Sequence, residues 1–178
     1  MRAKVLGFIA ASLDGYIATK EHSLAWLFRN EGKEDNGYEE FYKTVDKVVM
    51  GRKTYEWIIG EMKDNFPYKD KDCYVFTSQY PAPAENVTFI QESPPVFIRS
   101  LLQQEGNIWV VGGGSILKPL LENRLIDEIE ISITPVLIGE GIRLFQEGNY
   151  EEDLELINIR KFDDFVSLKY RFKHESTG

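Results

Sequence analysis

The chain has almost no sulfur to work with. Cys73 is the one cysteine in 178 residues, so no intramolecular disulfide can form. A reducing, cytoplasmic setting is expected. Cys73 opens the run CYVFT and reads as a buried strand thiol rather than a nucleophile. Histidine is as scarce. His22 and His174 have no histidine or cysteine partner at ligand spacing, so no metal site is expected. Positive charge is short too: 21 Lys and Arg face 29 Asp and Glu, a net charge of −8. That balance excludes a nucleic-acid footprint and a basic membrane face. No apolar run reaches the length of a membrane span. The start, MRAKVLGFIAASLDG, runs straight into a strand-and-turn pattern rather than a signal peptide. Repeats and linkers are missing, so residues 1–178 are expected to form one domain.

What is present is an alternation of strands and helices. KVLGFIAAS (Lys4 to Ser12) suits a central strand, with a turn at Asp14-Gly15. Residues 19–36 are polar around an isolated LAWLF and read as a long functional loop. YEEFYKTV places Tyr38, Phe41, Tyr42 and Val45 at helical spacing. KVVM is a short strand ended by Gly51, and RKTYEWII a helix with Gly60 as its stop. CYVFT and NVTFI are strands. SPPVFIRSLLQQEG is a helix with Ser93 as cap, Pro94 in first position and Gly106 as closure. NIWVV is a continuous apolar run, as in a strand covered on both faces. EIEISIT alternates strictly, with Ile129, Ile131 and Ile133 on one side and Glu130, Ser132 and Thr134 on the other. LELINIRKF and FVSLKYRF flank Asp163-Asp164 as an antiparallel hairpin. The fold class is α/β, with a mixed, mostly parallel central sheet, helices on both faces and a C-terminal hairpin.

The stretch IWVVGGGSILKPLL, Ile108 to Leu121, runs from strand through three glycines into helix. The first N–H groups of a helix lack intrahelical partners and carry partial positive charge. Glycines there either turn a corner that needs positive φ or let a phosphate approach the backbone. Pro119 falls inside that helix and predicts an irregular first turn. VVMGRKTYEW repeats the theme, with Arg52, Lys53 and Thr54 at a helix start. Cations there oppose the helix dipole, which favours an anion beside them. FTSQ (Phe76 to Gln79) gives a third strand end with two hydroxyls. The P-loop and Rossmann spacings are both absent: position 46 is Asp and position 117 is Leu. An acidic chain that gathers N–H groups and its few cations at three strand ends can still hold a dinucleotide.

Taken in order, IAASLDGYIA, VVMGRKTYE, YVFTSQ and WVVGGGSILKPLL resemble the cofactor-binding segments of dihydrofolate reductase. SLDGYIA and RLIDEIEISITPVLIGEGIRLF (Arg124 to Phe145) resemble more the reductase domain of riboflavin biosynthesis, the RibD C-terminal domain, which shares that fold. The resemblance implies a dihydrofolate reductase-like three-layer fold and NADPH as cofactor. It implies that Ala10 and Ile17 line the nicotinamide pocket. Gly51, Arg52, Lys53 and Thr54 would hold phosphates, with Arg52 near the 2′-phosphate and Thr77 and Ser78 beside it. Gly112, Gly113, Gly114, Ser115 and Ile116 would wrap the pyrophosphate, with a cis peptide between the first two glycines. The segment TPVLIGEG (Thr134 to Gly141) implies a homodimer.

The activity so implied is hydride transfer from NADPH to a C=N or C=O of a pyrimidine or pterin-like substrate. A strict dihydrofolate reductase and a non-catalytic nucleotide-binding relative are the alternatives. Proton delivery needs a carboxyl whose pKa an apolar pocket can raise. Asp14, Glu31 and Asp35 are the candidates, although Asp14-Gly15 is also ordinary turn chemistry and the other two lie in a charge run. Trp26, Tyr38 and Phe41 form a candidate substrate wall, with core packing the plain alternative for Phe41. Ser132 is the fourth substrate candidate. Departures from the two families concentrate at the substrate. Trp26 is followed by LFRNEGKED without the Leu-Pro of folate reductases. Lys71 stands where those enzymes place an arginine for the glutamate tail. Val111 stands where riboflavin reductases usually carry a glutamate.

Overall fold

The computed structural model describes residues 2–30 and 35–174. Eight strands form one sheet, in the order β5-β4-β3-β6-β1-β7-β10-β9. They are β1 (Val5–Ser12), β3 (Lys47–Gly51), β4 (Asp72–Phe76), β5 (Val87–Ile90), β6 (Ile108–Gly112), β7 (Glu128–Thr134), β9 (Leu154–Phe162) and β10 (Phe165–Phe172). A two-stranded ribbon, β2 (Tyr16–Ala18) with β8 (Ile142–Arg143), lies apart from it. Neighbours from β5 to β7 are parallel, and the closing hairpin β9–β10 is antiparallel. This is the expected mixed sheet.

The central strands read as unbroken apolar runs because both faces are covered. Val5, Val49 and Ile108 enter one core cluster, with Ile98 and Leu101 of α4 (Pro94–Leu101) and Leu117 and Leu120 of α5 (Gly114–Glu122). Their chain neighbours Leu6, Val48 and Trp109 point the other way. There they meet Phe41 of α2 (Tyr38–Tyr42) and Ile58 of α3 (Arg52–Met62). Period-two alternation of side chains thus builds three layers from residues that are all hydrophobic. α1 (Ala25–Phe28) is a single turn in the long loop.

The boundaries differ in places. Gly60 does not stop α3, which runs on to Met62 and ends at Lys63 with φ 50°. α4 ends at Leu101, ahead of Gly106. Ser93 sits at its N-cap, yet its hydroxyl makes no capping bond. The YEEFYKTV helix is confined to Tyr38–Tyr42.

Every parallel strand presents its carboxyl end to the same edge of the sheet. The order of chain entry reverses around β1, with β6 on one side and β7 on the other. Ligands of open α/β sheets bind beyond the strand ends at such a reversal.

Candidate active site

The three glycines have three different jobs. Gly112 ends β6 with φ 131°, a conformation that other residues rarely adopt, and is joined to Gly113 by a cis peptide bond. No other heavy atom lies within contact of the place a Gly112 side chain would take. Gly113 is the N-cap of α5, and a side chain there would touch Thr54 Oγ1 at 3.6 Å. Gly114 has no room at all: a side chain would run into the Gln146 amide. The first turn closes through Ile116 and Leu117 N–H groups, which donate to Gly113 O at 3.0 and 3.1 Å. The i−3 bond is the irregularity of the first turn, and the helix then continues through Pro119 to Glu122.

β3 pairs with β6, so α3 begins beside α5. A Cβ on Gly51 would lie 3.3 Å from Ile116 Cγ1 and 3.8 Å from Ser115 Oγ. Neither helix start has a side-chain cap or an acidic residue in its first turn. Two helix N-termini with uncapped N–H groups therefore stand side by side, and their partial positive charges add. β4 extends the edge. Gly51 pairs with Phe76, which sets Arg52 next to Thr77 and Ser78. Thr77 is buried, and its Oγ1 accepts the Gln79 N–H at 3.1 Å, while Ser78 is exposed. Lys53 and Ser115 are also exposed. The residues read from the sequence as phosphate-holding thus converge at one edge.

Beside the glycines, a shallow, largely apolar recess is lined by Phe8, Ile9, Ile17, Val111 and Leu144. Ile17 is where the sequence puts it. Ala10 is not among the lining residues. It pairs with Ser132 across β1–β7, and Ile9 stands at the recess instead.

The candidate acids sit differently from the expectation. Asp14 accepts from Ser12 Oγ at 2.6 Å and from Gly139 N–H at 2.8 Å. The Ser12 hydrogen bond, helped by the backbone donors, holds its carboxyl below the usual range. Asp35 accepts from Glu39 and Gly37 N–H groups at 2.9 and 3.0 Å. Those bonds lower its pKa as well. Both behave as ionised turn and cap residues, and neither has the raised pKa that proton delivery asks for. Glu31 lies outside the described residues. Phe41 is buried and stacks on Phe8 with ring centroids 4.6 Å apart, and Tyr38 packs edge-on against Trp109 at 5.8 Å. This places both in the core cluster beneath α2. Trp26 is buried, and its indole N–H has no partner among the described residues.

The strand β7 carries Ser132, the fourth substrate candidate, and with it Thr134, which sequence reasoning missed. Both sides of β7 are covered: Glu130, Ser132 and Thr134 are 6%, 3% and 0% exposed, and on the other side Ile129 is 1% exposed while Ile131 and Ile133 are partly buried. Ser132 Oγ and Thr134 Oγ1 have no hydrogen-bond partner among the described residues. Ser132 stands between Ala10 and Ser167 in the sheet register. Ser167 Oγ donates to Glu130 Oε1 at 2.6 Å, and Arg160 Nη2 donates to the same oxygen at 3.3 Å. A buried hydroxyl without a partner costs about 1–3 kcal/mol. Both stand on the side of β7 that also carries Glu130. Strict alternation in EIEISIT carries the signal for two distinct faces but not for the burial of both.

The sequence profile of the RibD C-terminal domain matches residues 3–168. The uncharacterized protein YwjB of Bacillus subtilis (strain 168) is 43% identical over 172 residues, covering 96% of this chain and 98% of that one. Among solved structures, a protein ascribed to riboflavin biosynthesis from Shewanella sp. PV-4 is 29% identical. It superimposes with a TM-score of 0.86 over 98% of this chain and all of its own. Dihydrofolate reductase from Enterococcus faecalis, complexed with NADP(H), shares the fold at 17% identity and a TM-score of 0.69, covering 98% of this chain and 100% of its own. The sheet order, the paired helix starts and these likenesses agree, and the chain belongs to the RibD C-terminal domain family, a dihydrofolate reductase-like family of NADPH-dependent reductases.

Proposed function

We propose that the protein is an NADPH-dependent reductase of the riboflavin-biosynthesis type, acting on a C=N or C=O of a pyrimidine or pterin-like substrate. One observation carries this reading: the uncapped starts of α3 and α5 meet at the carboxyl ends of adjacent strands, through Gly51, Ser115 and Gly113–Thr54. The residues present fit a dinucleotide phosphate. A Cβ at Gly113 would reach toward Thr54, and Gly112 takes a backbone form that leaves space open in front of it.

In this reading Gly113, Gly114, Ser115 and Ile116 hold the pyrophosphate on their N–H groups. Arg52 takes the 2′-phosphate, with Thr77 and Ser78 beside it. Ile9, Ile17 and Leu144 shield the nicotinamide side of the recess from water. When bound, the cofactor supplies a hydride. Ser132 and Thr134 offer hydroxyls that bind and orient the polar edge of a substrate. Lys71, at the position of a folate-tail arginine, instead lies 4.6 Å from the centre of the Tyr42 ring. That contact favours a pyrimidine substrate over folate. We further propose a homodimer formed through the isoleucine side of β7 and its continuation on β10 and β9.

Thermal stabilisation by NADPH and NADH tests the cofactor reading. A ligand at a hundredfold its Kd adds about 2.7 kcal/mol of stability. A shift selective for NADPH in the wild type, and lost in Arg52→Ala, is the expected result. No shift with either nucleotide removes the reading.

A further inference from the structure

Arg52 is not free in this structure. Its Nη1 donates to Glu56 Oε1 at 2.9 Å, one helical turn along α3. The two side chains are 38% and 53% exposed. Because Gly51 pairs with Phe76, Arg52 leaves the sheet beside the Thr77–Ser78 turn. That corner therefore holds a guanidinium, two hydroxyls and one carboxylate. An incoming phosphate finds its best cation already engaged by an anion of the chain's own.

We propose that Glu56 is an internal competitor that sets the preference between NADPH and NADH. This rests on the cofactor reading above. Glu56 acts through Arg52 and is a positioning residue in two respects. It holds the guanidinium against the helix in the empty protein. It also leaves a negative charge one turn away from where a dianionic 2′-phosphate would settle. NADPH must break or share the Arg52–Glu56 pair. NADH has no 2′-phosphate and does not depend on Arg52. The pair thus lowers NADPH affinity selectively and keeps the preference below what Arg52 by itself would give. An exposed i,i+4 pair is weak, and a nearby like charge repels by a comparable amount in high dielectric. Together they correspond to about a three- to tenfold change in relative affinity.

The test is calorimetric titration of NADPH and NADH into the wild type, Glu56→Gln, Arg52→Ala and the double variant. Glu56→Gln is expected to raise the NADPH-to-NADH affinity ratio about three- to tenfold and to leave NADH binding within about twofold of the wild type. The gain should shrink in about 0.5 M salt and vanish on the Arg52→Ala background. A structural defect would weaken both nucleotides alike and leave the ratio unmoved. If the wild type binds both nucleotides and Glu56→Gln does not change the ratio, or changes it equally without Arg52, the competitor role is overturned while the cofactor reading stands. If the wild type binds neither, the cofactor reading falls and this inference with it.

Discussion

Ser132 and Thr134 keep hydroxyls inside the protein with no partner among the described residues. A site tuned for stability alone would carry alanine and valine there. Ser132→Ala and Thr134→Val are therefore expected to leave the urea midpoint unchanged, or to raise stability by up to about 1 kcal/mol. The same variants should lower turnover of a pyrimidine or pterin-like substrate. A marked loss of stability would show instead that these hydroxyls are satisfied within the fold. Asp14 and Asp35 make the opposite case, since the folded protein needs their charge. Both folded-state pKa values lie below the ordinary 3.8. Their contribution is full above that value and fades as pH falls through the lower, folded one. Amide protection factors at Ile138 and Gly139 should fall below about pH 4, and in Asp14→Asn they should be low already at neutral pH. These single-residue roles were the least legible in the sequence. A carboxylate in Asp-Gly reads equally well as turn or acid, and only its three surrounding N–H and O–H donors decide.

At the scale of the element, the strand-to-helix turns were easy to see and their details were not. Glycine after an apolar run announces the turn because few other residues can make it. Which glycine serves conformation and which serves packing depends on a residue far along the chain. Gly114 is excluded from bearing a side chain by Gln146. Gly114→Ala is expected to cost up to about 1 kcal/mol in urea unfolding, because the Gln146 side chain must swing aside. Gln146→Ala should remove most of that penalty, so that the double variant resembles Gln146→Ala. Additive losses would mean that the backbone rather than Gln146 sets the requirement. Gly60 misleads for a related reason. It is exposed and nothing crowds it, and the helix anchored by buried Ile58 carries on for two more residues past its poor helix propensity.

For the whole molecule, the alternating helices and strands made the layered fold legible, and the closing hairpin showed at Asp163-Asp164. The exposed apolar side chains that continue β7's isoleucine side onto β10 and β9 did not, since no local pattern says which side of a sheet a partner will cover. Leu156, Ile159 and Val166 extend the apolar side across the hairpin, 44%, 59% and 38% exposed. This is the surface that the proposed homodimer would cover. Sedimentation should give twice the chain mass of 20.6 kDa, and Ile159→Glu should give the single mass. A wild-type monomer at micromolar concentration would refute the dimer.

The strand order also governs how the chain can be made. β1 has no neighbour in the sheet among the strands that follow it until β6 and β7 arrive, a hundred or so residues later. As the polypeptide leaves the ribosome, β3, β4 and β5 can associate with one another, but the first strand must wait with both edges bare. Long-range closure of this sort slows folding and leaves sticky intermediates. Synthesis halted before Ile108 should yield a fragment that chaperones hold and proteases clear, and release of β6 from the exit tunnel is the moment at which the nascent chain can become a protein.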